Sequence, residues 1–116
     1  MTTIFIQARL NSKRLNNKIF KKINDIPIIE WVNYRVKQIK NADEIIFLIP
    51  ENKSNLYLKN YLIDKKIDFF TGPENNVLKR FFLAAKKYNA KKIVRICCDN
   101  PFICPKEIEK LISFFL

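Results

Sequence analysis

Four short apolar runs, set between stretches whose apolar residues recur at helical spacing, constrain this chain more than any other feature. The first run, Thr3 to Ala8, holds Ile4, Phe5 and Ile6 in succession. Such continuity suits a strand buried on both faces, where an edge strand would alternate. Glu44 to Ile49 is a second run, ended by Pro50; Ile67 to Phe70 is a third; Lys92 to Cys97, with Ile93, Val94 and Ile96, is a fourth. Between the first two, Pro27 can open a helix that carries Ile28, Ile29, Val32, Val36 and Ile39 up to about Lys40. Leu56, Tyr57, Tyr61 and Leu62 make a second helical pattern between Lys53 and Asp64. Val77, Leu78, Phe81, Phe82, Ala85 and Tyr88 make a third, amphipathic one. Thr71-Gly72-Pro73 reads as a turn with the chain's one glycine, and Pro105 opens a last helix through Ile108, Leu111, Ile112 and Phe115. The order β-α-β-α-β-α-β-α predicts an α/β fold, an open and mostly parallel sheet with helices on both faces.

Composition narrows the class. A length of 116 residues, 48% of them hydrophobic and 13% aromatic, predicts one domain with a core and excludes a disordered or fibrous chain. No apolar stretch approaches the ~20 residues of a bilayer span. Met1 to Arg9 has neither the basic segment nor the long apolar run of a signal peptide. Cys97, Cys98 and Cys104 are odd in number, form no C-x-x-C and have no histidine to complete an ordinary zinc set. Reduced structural thiols in a cytoplasmic protein are the expectation.

With 22 Lys and Arg against 11 Asp and Glu the net charge is +11, which invites a nucleic-acid partner. The lysines, however, are spread along the chain, often in pairs such as Lys21-Lys22, Lys65-Lys66, Lys86-Lys87 and Lys91-Lys92. Such pairs mark solvated helix faces and element ends. The charge permits a polyanionic partner without identifying one, and nucleic acid is the weakest reading of it.

Open parallel sheets collect ligands outside the C-terminal ends of their strands, where strand order reverses. Two loops have that position. After the first strand, Gln7 to Lys18 carries four cations, Arg9, Lys13, Arg14 and Lys18, with Asn11 and Ser12 as further donors. Charged side chains and free backbone N–H groups of this kind can surround a triphosphate, although such loops are more often solvated connections. The loop is no Walker P-loop, because it lacks the glycines and the G-K-[ST] ending. After the fourth strand comes Asp99, a hard oxygen ligand of the kind that holds the Mg²⁺ accompanying a nucleotide, or else a turn residue before Asn100-Pro101. A strand order of 3-2-1-4 would make the two loops neighbours on one crevice.

These residues resemble a known family. The segment Ile4-Phe-Ile-Gln-Ala-Arg-Leu-Asn-Ser-Lys-Arg-Leu-Asn-Asn-Lys18 is similar to the I-x-Q-A-R-x-G-S-x-R-L-P-x-K opening of the sugar cytidylyltransferases. The likeness is to the branch called spore coat polysaccharide biosynthesis protein F, close to acylneuraminate and deoxyoctulosonate cytidylyltransferases. Pro27-Ile-Ile-Glu-Trp-Val, then Gly72-x-Glu-x-Asn-Val-Leu-x-Arg-Phe-x-x-Ala-Ala, and Val94-Arg-Ile-x-x-Asp-Asn-Pro-Phe-Ile match later blocks in order and spacing. The resemblance implies a glycosyltransferase-A-like, Rossmann-like nucleotidyltransferase fold. It also implies Mg²⁺-dependent transfer of CMP from CTP to an acidic or other sugar, with release of pyrophosphate, in surface polysaccharide biosynthesis. Carried over by position, Arg9, Ser12, Lys13 and Lys18 would hold the triphosphate, with Arg14 nearby and Ala8 and Asn11 also binding the nucleotide, and Arg9 and Lys18 would be the catalytic cations. Asp99 would bind the metal, and Gly72 and Arg80 would lie nearest the nucleotide or sugar.

The chain departs from the family pattern at Asn11, where a glycine is usual; at Asn16, where proline is usual; and at Asn76, where an acidic residue is usual. Asn enters the left-handed region readily, so the first change is tolerable. Family members are about double this length, so the resemblance implies a chain that keeps the nucleotide half as residues 1–116 and does not complete the reaction alone. A homodimer, or a partner covering the sheet edge at the fourth strand, is expected. The alternative is a non-catalytic nucleotide-binding or interaction protein of the same fold.

Overall fold

The computed structural model describes residues 2–10 and 18–114. In chain order its elements are β1 (Thr2–Gln7), β2 (Lys22–Ile23), β3 (Ile26–Pro27), α1 (Ile28–Val36), β4 (Glu44–Pro50), α2 (Leu56–Asp64), β5 (Phe69–Gly72), α3 (Val77–Lys87), β6 (Lys92–Cys97) and α4 (Pro105–Phe114). The continuous apolar run of β1 is explained by its place. The sheet order is β5-β4-β1-β6, every pairing parallel, so β1 is hydrogen-bonded on both edges and covered on both faces. In the numbering of the four predicted strands this is the order 3-2-1-4.

The pleat divides the core in two. Ile4 and Ile6 of β1, Phe47 and Ile49 of β4 and Ile96 of β6 face one way, toward Ile29 and Val32 of α1, Leu58 and Leu62 of α2 and Ile112 of α4. Phe5, Ile46 and Leu48 face the other way and pack on Phe81, Ala84, Ala85 and Tyr88 of α3. Phe5 and Phe81 meet edge to face with ring centroids 5.8 Å apart. One helix covers this second face where three cover the first, and α3 covers β6 only in part, with its Phe81 ring against Arg95. Arg95 and Cys97 of β6 are exposed there, and Ile93 keeps 43% of its surface in solvent. Among the described residues β6 is the last strand of the sheet, and no strand pairs with its outer edge.

Local departures from the sequence pattern have local causes. The segment before α1 contains a small hairpin, β2 paired antiparallel with β3, whose two turn residues Asn24 and Asp25 have φ of 52° and 65°. Such a turn needs residues that tolerate positive φ. Helix α1 stops at Val36, and i→i+3 bonds from Gln38 to Arg35 and from Ile39 to Val36 tighten the exit while Ile39 stays buried. The third strand begins later than its apolar residues suggest. Ile67 belongs to the end of α2, where Lys66 takes φ 57° and the Ile67 N–H reaches the Leu62 carbonyl at 2.9 Å. Thr71 and Gly72, read as a turn, are strand residues paired with Ile49 and Pro50.

Phe47 has no exposed surface and sits between β1 and β5. Truncation to alanine removes most of a buried ring, so Phe47→Ala is expected to lower unfolding free energy by about 3–5 kcal/mol in urea denaturation.

Candidate functional site

The chain leaves β1 and β6 side by side at their C-terminal ends, tied by the Cys98 N–H to the Gln7 carbonyl at 3.0 Å, while the Ala8 N–H reaches Leu48 at 3.0 Å. Past these bonds Ala8 is buried, Arg9 exposed and Leu10 buried, so the backbone points the guanidinium outward between two apolar anchors. Asn11, Ser12, Lys13 and Arg14, named from the sequence as triphosphate contacts, lie outside the described residues. The chain is next described at a 3-10 turn, Lys18–Phe20, whose Ile19 is buried and whose Phe20 ring meets Tyr57 and Tyr61 edge to face at 4.9 and 5.0 Å. That anchoring holds Lys18 at the strand ends. Its Nζ lies 3.8 Å from Oδ2 of Asp99, both side chains being about half exposed.

Two readings of Asp99, turn residue and metal ligand, are open on the sequence, and the structure shows the first without excluding the second. Asp99 sits in the turn after β6, with Cys98 at its centre: the Asn100 N–H donates to the Cys97 carbonyl at 3.3 Å, and the Asn100 side-chain oxygen accepts from the Phe102 N–H at 3.1 Å. The Asp99 carboxylate faces Lys18. Among the described residues no three His, Cys, Asp or Glu side chains gather into a metal cage. One half-exposed carboxylate fits Mg²⁺, which keeps several waters and binds through one or two carboxylates together with phosphate oxygens.

Gly72 and Arg80 form a packed unit. Gly72 has an ordinary negative φ; what it needs is closeness, since a Cβ there would lie 2.6 Å from Arg80 Cγ. Arg80 is almost fully buried. Its Nε donates to the Pro73 carbonyl at 3.2 Å and its Nη2 to that of Glu74 at 3.1 Å, while Nη1 is buried without a partner among the described residues. Burial lowers the pKa of this guanidinium, the positive charge of Arg9 lowers it further, and Glu74 opposes both. Arg80 therefore bonds to the loop between β5 and α3 and feels the positive charge of Arg9. Asn76 caps α3: its side-chain oxygen accepts from the Lys79 N–H at 2.9 Å. Asp and Asn cap helices about equally well, so the exchange at this position keeps the local fold.

Sequence reasoning missed two participants. Asn55 is buried and accepts a hydrogen bond from the Leu10 N–H at 2.7 Å, across 45 positions of chain. Arg95 donates to the Gln7 side chain at 2.7 Å and lies 5.3 Å over the Phe81 ring. Neither carries a local signal, since both partners are distant in sequence. Of the three free cysteines Cys98 is buried, and burial first, then Asp99 and Cys97, raises its thiol pKa; Cys97 and Cys104 are exposed, contrary to the expectation of buried thiols.

With this geometry in view, the comparisons with known proteins give the family. Residues 3–115 match the cytidylyltransferase family, and the chain belongs to it. Relatives include an uncharacterised protein of Methanocaldococcus jannaschii, 37% identical over 96% of this chain and 46% of its own. Another is the spore coat polysaccharide biosynthesis protein SpsF of Bacillus subtilis, 27% identical over 93% of this chain and 47% of its own. The fold matches that of a cytidylyltransferase from Leptospira borgpetersenii with TM-score 0.90 and 30% identity, over 98% of this chain and 48% of that one. It also matches CMP:2-keto-3-deoxy-manno-octonic acid synthetase, solved with CTP, with TM-score 0.81 and 21% identity over 98% and 46% of the two chains. The α/β nucleotidyltransferase fold is thereby established. The chain spans about half the length of the curated relatives it matches.

Two outcomes follow from this packing. Gly72→Ala must push Arg80 aside, and we expect a loss of about 1–3 kcal/mol in chemical denaturation, the usual cost of overpacking. At pH 8 a thiol-specific reagent is expected to label Cys97 and Cys104 in the folded chain and Cys98 only in denaturant, because the raised pKa leaves Cys98 protonated and burial shields it.

Proposed function

We propose that residues 1–116 are the nucleotide-holding part of an enzyme that moves CMP from CTP to a sugar, as a step toward a surface polysaccharide. The observation that supports this most is the apposition of Lys18 and Asp99, 3.8 Å apart at the ends of neighbouring parallel strands. A half-exposed pair of this kind contributes less than about 1 kcal/mol to folding. Its two members are free to exchange each other for a phosphate and a cation. Membership of the cytidylyltransferase family, the CTP complex of a structural neighbour and the name of the Bacillus subtilis relative support the same reading.

In this mechanism Lys18 and Arg9 hold phosphate oxygens, with Ser12, Lys13 and Arg14 as further donors, Asn11 shaping the loop and Ala8 keeping the backbone close to the nucleotide. Arg80 and Gly72 shape the loop that borders the nucleotide, and the buried charge of Arg80 adds to the positive field around Arg9. A sugar hydroxyl oxygen attacks the α-phosphorus and gives up its proton to water, the bond from that phosphorus to the bridging oxygen breaks, and pyrophosphate leaves carrying the electron pair. Lys18 and Arg9 neutralise the charge that develops on it, a role in which one lost contact costs about 3 kcal/mol of barrier. Mg²⁺ at Asp99 would supply charge neutralisation on the same oxygens.

A second reading is that residues 1–116 bind the nucleotide and act only together with a further half; its support is that the chain spans about half the length of its relatives. The open edge of β6 is where a second copy or another chain would add. No helix among the described residues is long and apolar enough to cross a membrane. The free thiols fit a reducing, cytoplasmic setting.

Calorimetric titration with CTP and Mg²⁺ tests the reading. Charge-assisted hydrogen bonds are worth about 1.5–3 kcal/mol, so Lys18→Ala is expected to weaken CTP binding by roughly 10- to 100-fold without unfolding the chain. Asp99→Asn is expected to remove the Mg²⁺ dependence of binding. Absence of CTP binding by the wild type, or salt-sensitive DNA binding that Lys18→Ala leaves intact, would sink the proposal. Pyrophosphate release by the isolated chain with any sugar would overturn the binding-only reading.

A further inference from the structure

Asn55 is the most constrained polar side chain outside the residues already assigned. It is 2% exposed, and a buried amide must find partners or cost stability. Its Oδ1 accepts from the Leu10 N–H at 2.7 Å, and its Nδ2 donates to Oδ1 of Asn52 at 2.5 Å. The orientation of both amides follows from chemistry: a backbone N–H faces each oxygen, Leu10 N–H at Asn55 and Asn55 N–H at Asn52, the latter at 3.0 Å. Asn52 is thereby the cap of the turn Lys53–Asn55 that starts the second helix, and Asn55 projects from that turn onto the chain that leaves β1.

The placement matters because of what lies between the bonds. The Ala8 N–H is fixed by the Leu48 carbonyl at 3.0 Å, and the Leu10 N–H is fixed by Asn55. Arg9 is the one residue between these two ties. Ala8 and Leu10 are buried and Arg9 is exposed, so the two bonds set the direction in which the guanidinium leaves the fold. Among the described residues Arg9 makes no ion pair of its own that would aim it. The strand ladder supplies the first tie for any sequence; only a side chain that reaches from the second helix supplies the other.

We propose that Asn55 is a positioning residue, which fixes the backbone at Leu10 and thereby aims Arg9 at the triphosphate. The inference rests on the proposed nucleotide site and names a residue outside it on which that site depends. Asn52 has a different duty, since it stabilises the turn and supports Asn55 without touching Leu10. The pair therefore separates positioning from mere stability.

The test is titration with CTP and Mg²⁺ well below each variant's own melting temperature, joined to hydrogen exchange of the Leu10 amide. Orienting partners of metal ligands are worth about 10- to 100-fold in affinity, and Asn55→Leu, which keeps the volume and removes the acceptor, is expected to weaken CTP binding about tenfold and to speed exchange at Leu10. Asn52→Ala removes the partner of the Asn55 Nδ2 but leaves the acceptor of the Leu10 N–H in place, so it is expected to lower the melting temperature with a clearly smaller loss of affinity than Asn55→Leu. If Asn55→Leu does not fold, Asn55→Ala, which leaves room for water at the Leu10 N–H, enters the same titration with the same expectation. Wild-type affinity in a folded Asn55 variant, or an equal loss in Asn52→Ala, overturns this inference while leaving the nucleotide site standing. A wild-type chain that binds no CTP overturns the proposed function itself, and this inference with it.

Discussion

Everything in this chain is referred to one strand that water does not touch. β1 has both edges paired and both faces covered, so Thr2 to Ile6 are all buried and the strand has no freedom to slip. A shift of one residue would move Ile4 and Ile6 to the side of α3 and Phe5 to the side of the three other helices, disrupting both halves of the core at once. The rigidity of that strand is transmitted to the residues just beyond it. Ala8 is still hydrogen-bonded to β4, Cys98 is bonded back to Gln7, and the cations and carboxylate of the site stand on these fixed ends. A charged loop on a mobile base would surround a triphosphate at a greater entropy cost.

The site itself joins features that look modest one at a time. An exposed ion pair, a buried arginine and a lone glycine are ordinary in isolation. Together they form a positive region at the strand ends. Gly72 lets Arg80 approach the end of β5, and Arg80 bonds the carbonyls of Pro73 and Glu74 and sends its field toward Arg9. Most of the +11 charge takes no part in this: paired lysines such as Lys86-Lys87 and Lys91-Lys92 lie on solvated surface, and Lys87 sits over the rings of Phe70 and Tyr88.

Legibility in the sequence followed the range of the interactions. The four strands and four helices are legible because apolar periodicity is a local signal, and the crossover lengths suit parallel pairing, while the order 3-2-1-4 is a supposition until the strands pair. The hairpin at Asn24-Asp25 was overlooked because two-residue strands leave too short a pattern, although paired Asn and Asp tolerate positive φ. The third strand was placed two residues early, since Ile67 and Phe69 are both buried-type residues and only pairing with β4 decides which belongs to the sheet. Asn76 was a departure from the family motif on paper and is a helix cap in the fold. Asn55 gave no sign at all, because its partner Leu10 is 45 residues away.

The sequence by itself determined the α/β class, the alternation of elements and the family, and it singled out the basic loop and Asp99 as candidates for the chemistry. Those properties are carried by neighbours along the chain, where spacing and residue type are enough. Only the tertiary structure decided that Lys18 faces Asp99, that Arg80 is enclosed against Gly72 instead of reaching solvent, that the second face of β6 stays open, and that Asn55 holds the base of Arg9. Each of these depends on parallel strands and helices bringing together residues far apart in the chain. Their energies come from burial and hydrogen-bond satisfaction, which exist only once the elements have packed.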